Sequence, residues 1–141
     1  LTYLLDTNVV SEWVKPRPDE GVMAWFRNVS ESDLFLSVVT LAELRQGIER
    51  LPAGARRTKL DVWLTDQLAL RFEERTLSVG GETADIWGRI TARAKRRGFS
   101  VEAMDGLIGA LALQHDLSVV TRNVTDFAAL DVRLVNPWTG P

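Results

Sequence analysis

Short apolar runs alternate along this chain with longer stretches whose apolar residues recur at helical spacing. Tyr3-Leu4-Leu5 reads as a buried strand that ends on Asp6. Residues 7–14 read as a helix, stopped by Pro16 and Pro18. Asp19 opens a second helix, with Val22, Trp25, Phe26 and Val29 on one face. Leu34-Phe35-Leu36 is the next buried strand, followed by a helix over 40–51 whose Leu41, Leu44, Ile48 and Leu51 turn inward. Pro52 and Gly54 break it, and a longer helix over 55–70 carries Leu60, Trp63, Leu64 and Leu68 toward the core. A short strand over 76–79 precedes Gly80-Gly81, and helices follow over 82–97 and 101–115, separated by Gly98. Leu117-Ser118-Val119-Val120-Thr121 is the clearest strand, and residues 132–135 supply a last one. This alternation predicts an α/β fold, a single domain over residues 1–141 with a mainly parallel central sheet flanked by helices. In such sheets, sites form beyond the carboxyl ends of the strands, where Asp6 and Thr121-Arg122-Asn123 fall.

Composition narrows the chemistry. A length of 141 residues fits one domain, and 45% apolar with 26% charged residues fits an ordinary globular core. The absence of Cys removes thiolate metal centres, disulfides and cysteine nucleophiles, and the single His115 cannot build a His-rich zinc site. Carboxylates remain, either as ligands of a hard cation or as acid–base groups. The formal charge of −2 gives no global basic footprint, so any contact with nucleic acid must be local. No apolar run approaches the ~18–20 residues of a membrane helix, and residues 1–6 lack the pattern of a signal peptide. The expectation is a cytoplasmic protein without a membrane partner, consistent with the missing Cys.

Asp105 is the most informative residue. It is the sole ionisable side chain between Ala103 and Gln114, and Val101, Ile108, Gly109 and Ala112 lie within about 60° of it around the helix. A carboxylate on a buried apolar helix must protonate, pair or bind a metal. Ser100 is the expected cap of that helix, which leaves Asp105 a turn inside. Asp6 reads equally as a helix cap or as a site residue, with Thr7 and Asn8 able to hydrogen-bond around it. Glu43 lies at the edge of an apolar stripe, and Thr40-x-x-Glu43 also matches a capping box. Asn123 and Asp126 can face the same cleft or form turns. Arg89, Arg93, Arg96 and Arg97 form one stripe that complements the helix dipole, with Asp85 as partner for Arg89. Trp13 and Trp138 are less easily placed in a core and are candidate partner or dimer surface.

Four blocks now stand in order: Leu4 through Glu12, Leu36 through Gly47, Asp105 through Ala112 and Val119 through Phe127. Together they resemble PIN-domain ribonucleases and, more closely, VapC-type toxins of type II toxin–antitoxin modules, FitB-like members included. The resemblance implies a PIN-like fold in which Asp6, Glu43 and Asp105 match three acidic positions that gather divalent cations, Mg²⁺ or Mn²⁺. Many members carry a further acid after Thr121-Arg122. Here that residue is Asn123, and Asp126 matches another acidic position seen in relatives. Thr7, Asn8, Thr121, Arg122 and Asn123 are then candidate water or phosphate contacts, and Asp6, Glu43, Asp105 and Asp126 the candidate catalytic set. The implied activity is cleavage of RNA phosphodiesters by metal-activated water, leaving a 5′-phosphate and a 3′-hydroxyl. The implied partners are a cognate antitoxin, an RNA substrate and a second copy of the chain, with operator DNA reached only through the antitoxin. Two alternatives remain: a non-catalytic module acting with an antitoxin on operator DNA, and a haloacid-dehalogenase-like phosphatase. The phosphatase suits Asp6-Thr7 after a strand but requires an acid where Asn8 stands.

Overall fold

The computed structural model describes residues 1–138, so the last three residues of the single-domain span 1–141 lie outside the described residues. Five short strands, β1 (Tyr3–Leu5), β2 (Leu34–Ser37), β3 (Thr76–Leu77), β4 (Ser118–Val120) and β5 (Leu134–Val135), form one sheet. The order is β3-β2-β1-β4-β5 and every pairing is parallel. Parallel neighbours need crossovers, and helices supply them on both faces. Alternation along the strands divides the core into two layers. Leu4 and Val119 face one layer with Ile90, Ile108, Leu111 and Phe127. Leu5, Val120, Leu34 and Leu36 face the other with Val9, Val10, Leu64 and Phe72. The strand order reverses between β1 and β4, which makes their carboxyl ends the natural crevice of the sheet.

The first layer holds α6 (Gly81–Arg96), α7 (Ala103–Gln114) and the short α8 (Val124–Ala128). The second holds α1 (Thr7–Ser11), α2 (Glu20–Arg27), α3 (Val38–Glu49), α4 (Ala55–Val62) and α5 (Ala69–Arg71). Helices α6 and α7 form an antiparallel hairpin turned at Gly98, whose φ of +90° suits glycine. Thr83 at one end donates to Gln114 at the other. Near the opposite end the hairpin closes on Gly106, where a Cβ would stand 2.7 Å from Trp87 Nε1. The Trp87 indole N–H donates to the Ala103 carbonyl at 3.4 Å.

Several boundaries differ from those read in the sequence, each for a local reason. The helix expected over 40–51 begins at Val38, because Ser37 rather than Thr40 caps it: the Ser37 hydroxyl accepts from the Thr40 N–H at 3.1 Å. Thr40 is therefore inside the helix, and no Thr40–Glu43 capping box exists. The last long helix begins at Ala103 with Glu102, not Ser100, at the cap position, which puts Asp105 in its first turn. The helix over 55–70 contains a wide π turn at Trp63–Leu68 that buries Leu64 and Leu68. Residues 7–14 split into α1 and a 3-10 turn, Glu12–Val14. The segment after Asn123 is helical. Trp13 is not free surface: it stacks on Phe26 at 4.4 Å between ring centres, with the Arg71 guanidinium 4.3 Å from its ring.

The hairpin contact yields a contrast that thermal melts can check. Gly106→Ala should destabilise by about 1–3 kcal/mol, because the new methyl would stand 2.7 Å from Trp87 Nε1 and 3.0 Å from Thr91 Cγ2, so the α6–α7 contact must shift. Gly88→Ala, also within a helix but with nothing within 4 Å of the added atom, should be neutral or stabilising by about 0.5–1 kcal/mol.

Candidate functional site

The parallel register sets Leu5 of β1 opposite Val120 of β4. The next residues, Asp6 and Thr121, leave the sheet side by side, with the Asp6 N–H still bonded to the Val120 carbonyl at 2.9 Å. Both are buried, Asp6 at 4% exposure and Thr121 at 0%. The Thr121 hydroxyl donates to Asp6 Oδ2 at 2.7 Å, and the Thr7 N–H to Asp6 Oδ1 at 2.8 Å. Asp6 is thus both the cap of α1 and a site residue, so its two sequence readings coexist. Thr121 also accepts from the Asn123 N–H at 2.9 Å, and Asn8 Nδ2 lies 3.4 Å from its oxygen. Asn8 Oδ1 in turn accepts from the Arg122 N–H at 3.4 Å.

Glu43 reaches the same place from α3. Its Oε1 accepts from the Thr7 hydroxyl at 2.6 Å, and the Thr7 oxygen lies 3.2 Å from that of Thr40. Thr40, fully buried and within 3.5 Å of the Leu5 carbonyl, joins the network although the sequence marked it only as a cap. Its one visible signal is a hydroxyl inside an otherwise apolar helical start. Arg45 pairs with Asp61 and Glu49, so it does not neutralise Glu43.

Asp105 projects from the first turn of α7, half-buried, where a negative charge is favoured by the helix N-terminus. Among the described residues its carboxylate accepts no hydrogen bond and meets no cation. Burial pushes it up to about 7, reinforced by the charges of Asp6, Glu102, Glu43 and Asp126. Asp6 and Glu43 are tied together through Thr7, and the charges of both are felt at Asp105, with those of Asp126 and of Glu102, to which nothing in the sequence pointed. Asp6 is likewise raised, chiefly by burial, with the hydrogen bonds from Thr121 and Thr7 opposing and the Glu43 charge adding to it. Asn123 is exposed at the cap of α8, and its side chain makes no capping bond. Arg122 is exposed at the rim.

The arrangement suits a hard dication in donor type and in charge. Asp6 and Glu43 are carboxylates held by threonine hydroxyls, and among the described residues none of Asp6, Glu43, Asp105 and Asp126 is ion-paired. A bound dication would offset the repulsion that adds to burial in raising Asp6 and Asp105. Among the described residues no three Asp, Glu or His side chains are grouped closely enough to hold a metal ion as they stand, so an ion here would need water for most of its ligands. The arginine stripe of α6 lies apart from this network. Arg89 pairs with Asp85 at 2.9 Å, and Arg97 is tied to the Ala129 carbonyl and to Asp131.

Comparison with known proteins identifies the family of the fold. A family model, the PIN domain, matches residues 3–132. The toxin FitB of Neisseria gonorrhoeae is 41% identical over 135 residues, covering 96% of this chain and 97% of its own. The VapC ribonuclease Y4jK of Sinorhizobium fredii is 36% identical, covering 96% of each. Among solved structures, FitAB bound to an IR36 DNA fragment superposes with a TM-score of 0.93 at 37% identity, covering 99% of this chain and 98% of that one.

The raised Asp105 makes stability depend on pH in a defined direction. Its ordinary value is 3.8 and its folded value about 7, so the folded protein holds this proton more tightly than the unfolded chain. The resulting stabilisation is fully present below about pH 4 and lost as pH rises through 7. In EDTA, the melting temperature of the parent should fall between pH 5 and 8 more steeply than that of Asp105→Asn. Added divalent cation should raise the parent's melting temperature more at pH 8 than at pH 5, and the variant's rise should be blunted. Parallel pH curves for the two proteins would remove Asp105 from the charged cluster.

Proposed function

The chain belongs to the PIN-domain family, in the branch that holds toxin FitB and the VapC ribonucleases, and from that membership we propose that it is a metal-dependent endoribonuclease, the toxin of a type II toxin–antitoxin module. The observation that supports this reading is the linkage of buried Asp6 to Glu43 through Thr7 at the carboxyl end of β1, with Asp105 near enough to feel both charges and no cation paired with any of the three among the described residues. Asp6, Asp105 and Glu43 would hold Mg²⁺ or Mn²⁺, which when bound lowers the pKa of water and offsets charge on a phosphodiester.

The remaining work falls to side chains around that centre. Thr121 and the Thr7 N–H fix both Asp6 oxygens, so the carboxylate meets its ligand already oriented. Thr7 restrains Glu43 through Oε1, which leaves Oε2 to accept a proton from an attacking water. Asn8 and Thr121 stitch the strand ends together, so the Asp6 and Arg122 sides of the cleft keep their spacing. Asp126, exposed on α8, serves as the outermost acid, orienting water where Asn123 brings no charge.

FitAB and VapBC structures similar to this one are complexes, one of FitAB on DNA. By analogy a cognate antitoxin would cover the acidic cleft and carry the toxin to operator DNA, and the toxin would pair with a second copy of itself in the cytoplasm. No helix among the described residues is long and apolar enough to cross a membrane. The phosphatase alternative lapses with the family assignment, and Asn8, engaged with Thr121 and Arg122, is no general acid.

Purified protein incubated with total RNA should cleave it in Mg²⁺ or Mn²⁺ and not in EDTA. Asp105→Asn should lose more activity than Thr121→Val, whose loss should be the roughly 10–100-fold typical of a residue that supports a metal ligand. Cleavage that survives both EDTA and Asp105→Asn would overturn the reading and favour the non-catalytic module.

A further inference from the structure

At the carboxyl end of β4, Arg122 stands outside the ion-pair network. That network engages Arg45 with Asp61 and Arg97 with Asp131. Arg122 has no acidic partner among the described residues. Its guanidinium carbon instead lies 5.5 Å from the centre of the Trp138 ring, within cation–π range. Trp138 is itself partly buried against the core layer that contains Leu5 and Val120, so the ring is a fixed platform. The Arg122 backbone is fixed as well. Its N–H is bonded to Asn8 Oδ1, and the residue before it, Thr121, holds Asp6. The chain therefore anchors this guanidinium one residue from the support of the acidic centre, with its charge unspent.

The residue that follows Arg122 is the amide Asn123 rather than an acid. A planar fork resting on an aromatic face keeps its edge N–H donors available, and that fork matches the oxygens of a phosphodiester. We propose that Arg122 and Trp138 form a backbone-phosphate subsite for the RNA strand, in which Arg122 contacts a phosphate flanking the reacting one and Trp138 is the positioning residue that holds the fork. This inference rests on the ribonuclease reading above. It places the positive charge that a chain of net −2 needs for a polyanion at the rim of the cleft.

Steady-state cleavage of a single-stranded RNA, measured across salt concentrations in Mg²⁺, tests it. Arg122→Ala should raise KM about tenfold while leaving kcat within about threefold, and should reduce the salt slope of kcat/KM by about one unit. Arg122→Lys should keep the salt slope yet raise KM, since an ammonium cannot form the fork. Trp138→Leu should reproduce most of the KM rise, and Trp138→Phe, which keeps an aromatic face, should restore it. Melting temperatures with and without Mg²⁺ separate these effects from misfolding, and if Trp138→Leu does not fold, Arg122→Ala and Trp138→Phe decide. An unchanged salt slope in Arg122→Ala, a loss confined to kcat, or a loss confined to antitoxin affinity overturns the subsite while leaving the nuclease standing. Absence of metal-dependent cleavage by the parent protein overturns both.

Discussion

A carboxylate taken out of water beside other carboxylates is the constraint around which this molecule is arranged. Asp6 is almost fully buried and has no counter-charge among the described residues, yet it keeps two hydrogen bonds, from Thr121 and from the Thr7 N–H. Those bonds lower its cost without cancelling it, since burial still holds the carboxyl above its ordinary range. Had stability alone been selected, an arginine against Asp6 or an apolar residue in its place would have served better. Retaining the acid and supporting it with hydroxyls leaves a deficit of positive charge that a dication can fill.

The topology determines where that deficit sits. Because β1 and β4 are parallel neighbours on either side of the strand-order reversal, Asp6 and Thr121 meet although more than a hundred positions separate them in sequence. The crossovers then return helix starts to the same end. The α3 start brings Thr40 and, a turn on, Glu43. The α7 start brings Asp105 into a first turn, where the helix field favours its ionised form and opposes the neighbouring charges. The close approach of α7 to α6 at Gly106 fixes that first turn from behind, so packing at Trp87 and chemistry at Asp105 are adjacent features of one helix end.

Which of these features the sequence reveals depends on whether the signal is local. The strand–helix alternation and the two-faced core follow from periodicity, and the sheet realises them. Asp105 is visible because it interrupts an apolar run, an anomaly that needs no partner to be noticed. Glu43 is not visible in that way: Thr40-x-x-Glu43 mimics a capping box, and only the family resemblance singles Glu43 out. The true cap, Ser37, is hidden because strand and helix join within the apolar run Leu36-Ser37-Val38-Val39. Ser100 looked the better cap for α7 because capping propensity is a local quantity, whereas the 97–102 turn is set by Gly98 and by the Arg97 contacts to Ala129 and Asp131. Thr121 as the support of Asp6, and Trp138 as the platform for Arg122, are tertiary pairs with no local signature.

Asn123 shows how one position can trade between the two charges that a phosphodiester nuclease must manage. An acid there would add to a cluster that already raises Asp105, and would lie beside Arg122, ready to neutralise it. The amide removes both effects. The proposed metal site would keep Asp6, Glu43, Asp105 and Asp126 as its acids without a carboxylate at 123. The guanidinium, meanwhile, is held by an uncharged ring rather than by a carboxylate, which keeps its full charge for an anion arriving from solvent. In the proposed site, an amide in place of an acid would therefore move electrostatic capacity from the cation side of the cleft to the phosphate side. That transfer suits a chain whose overall balance is negative and whose grip on a polyanion must be concentrated at its rim.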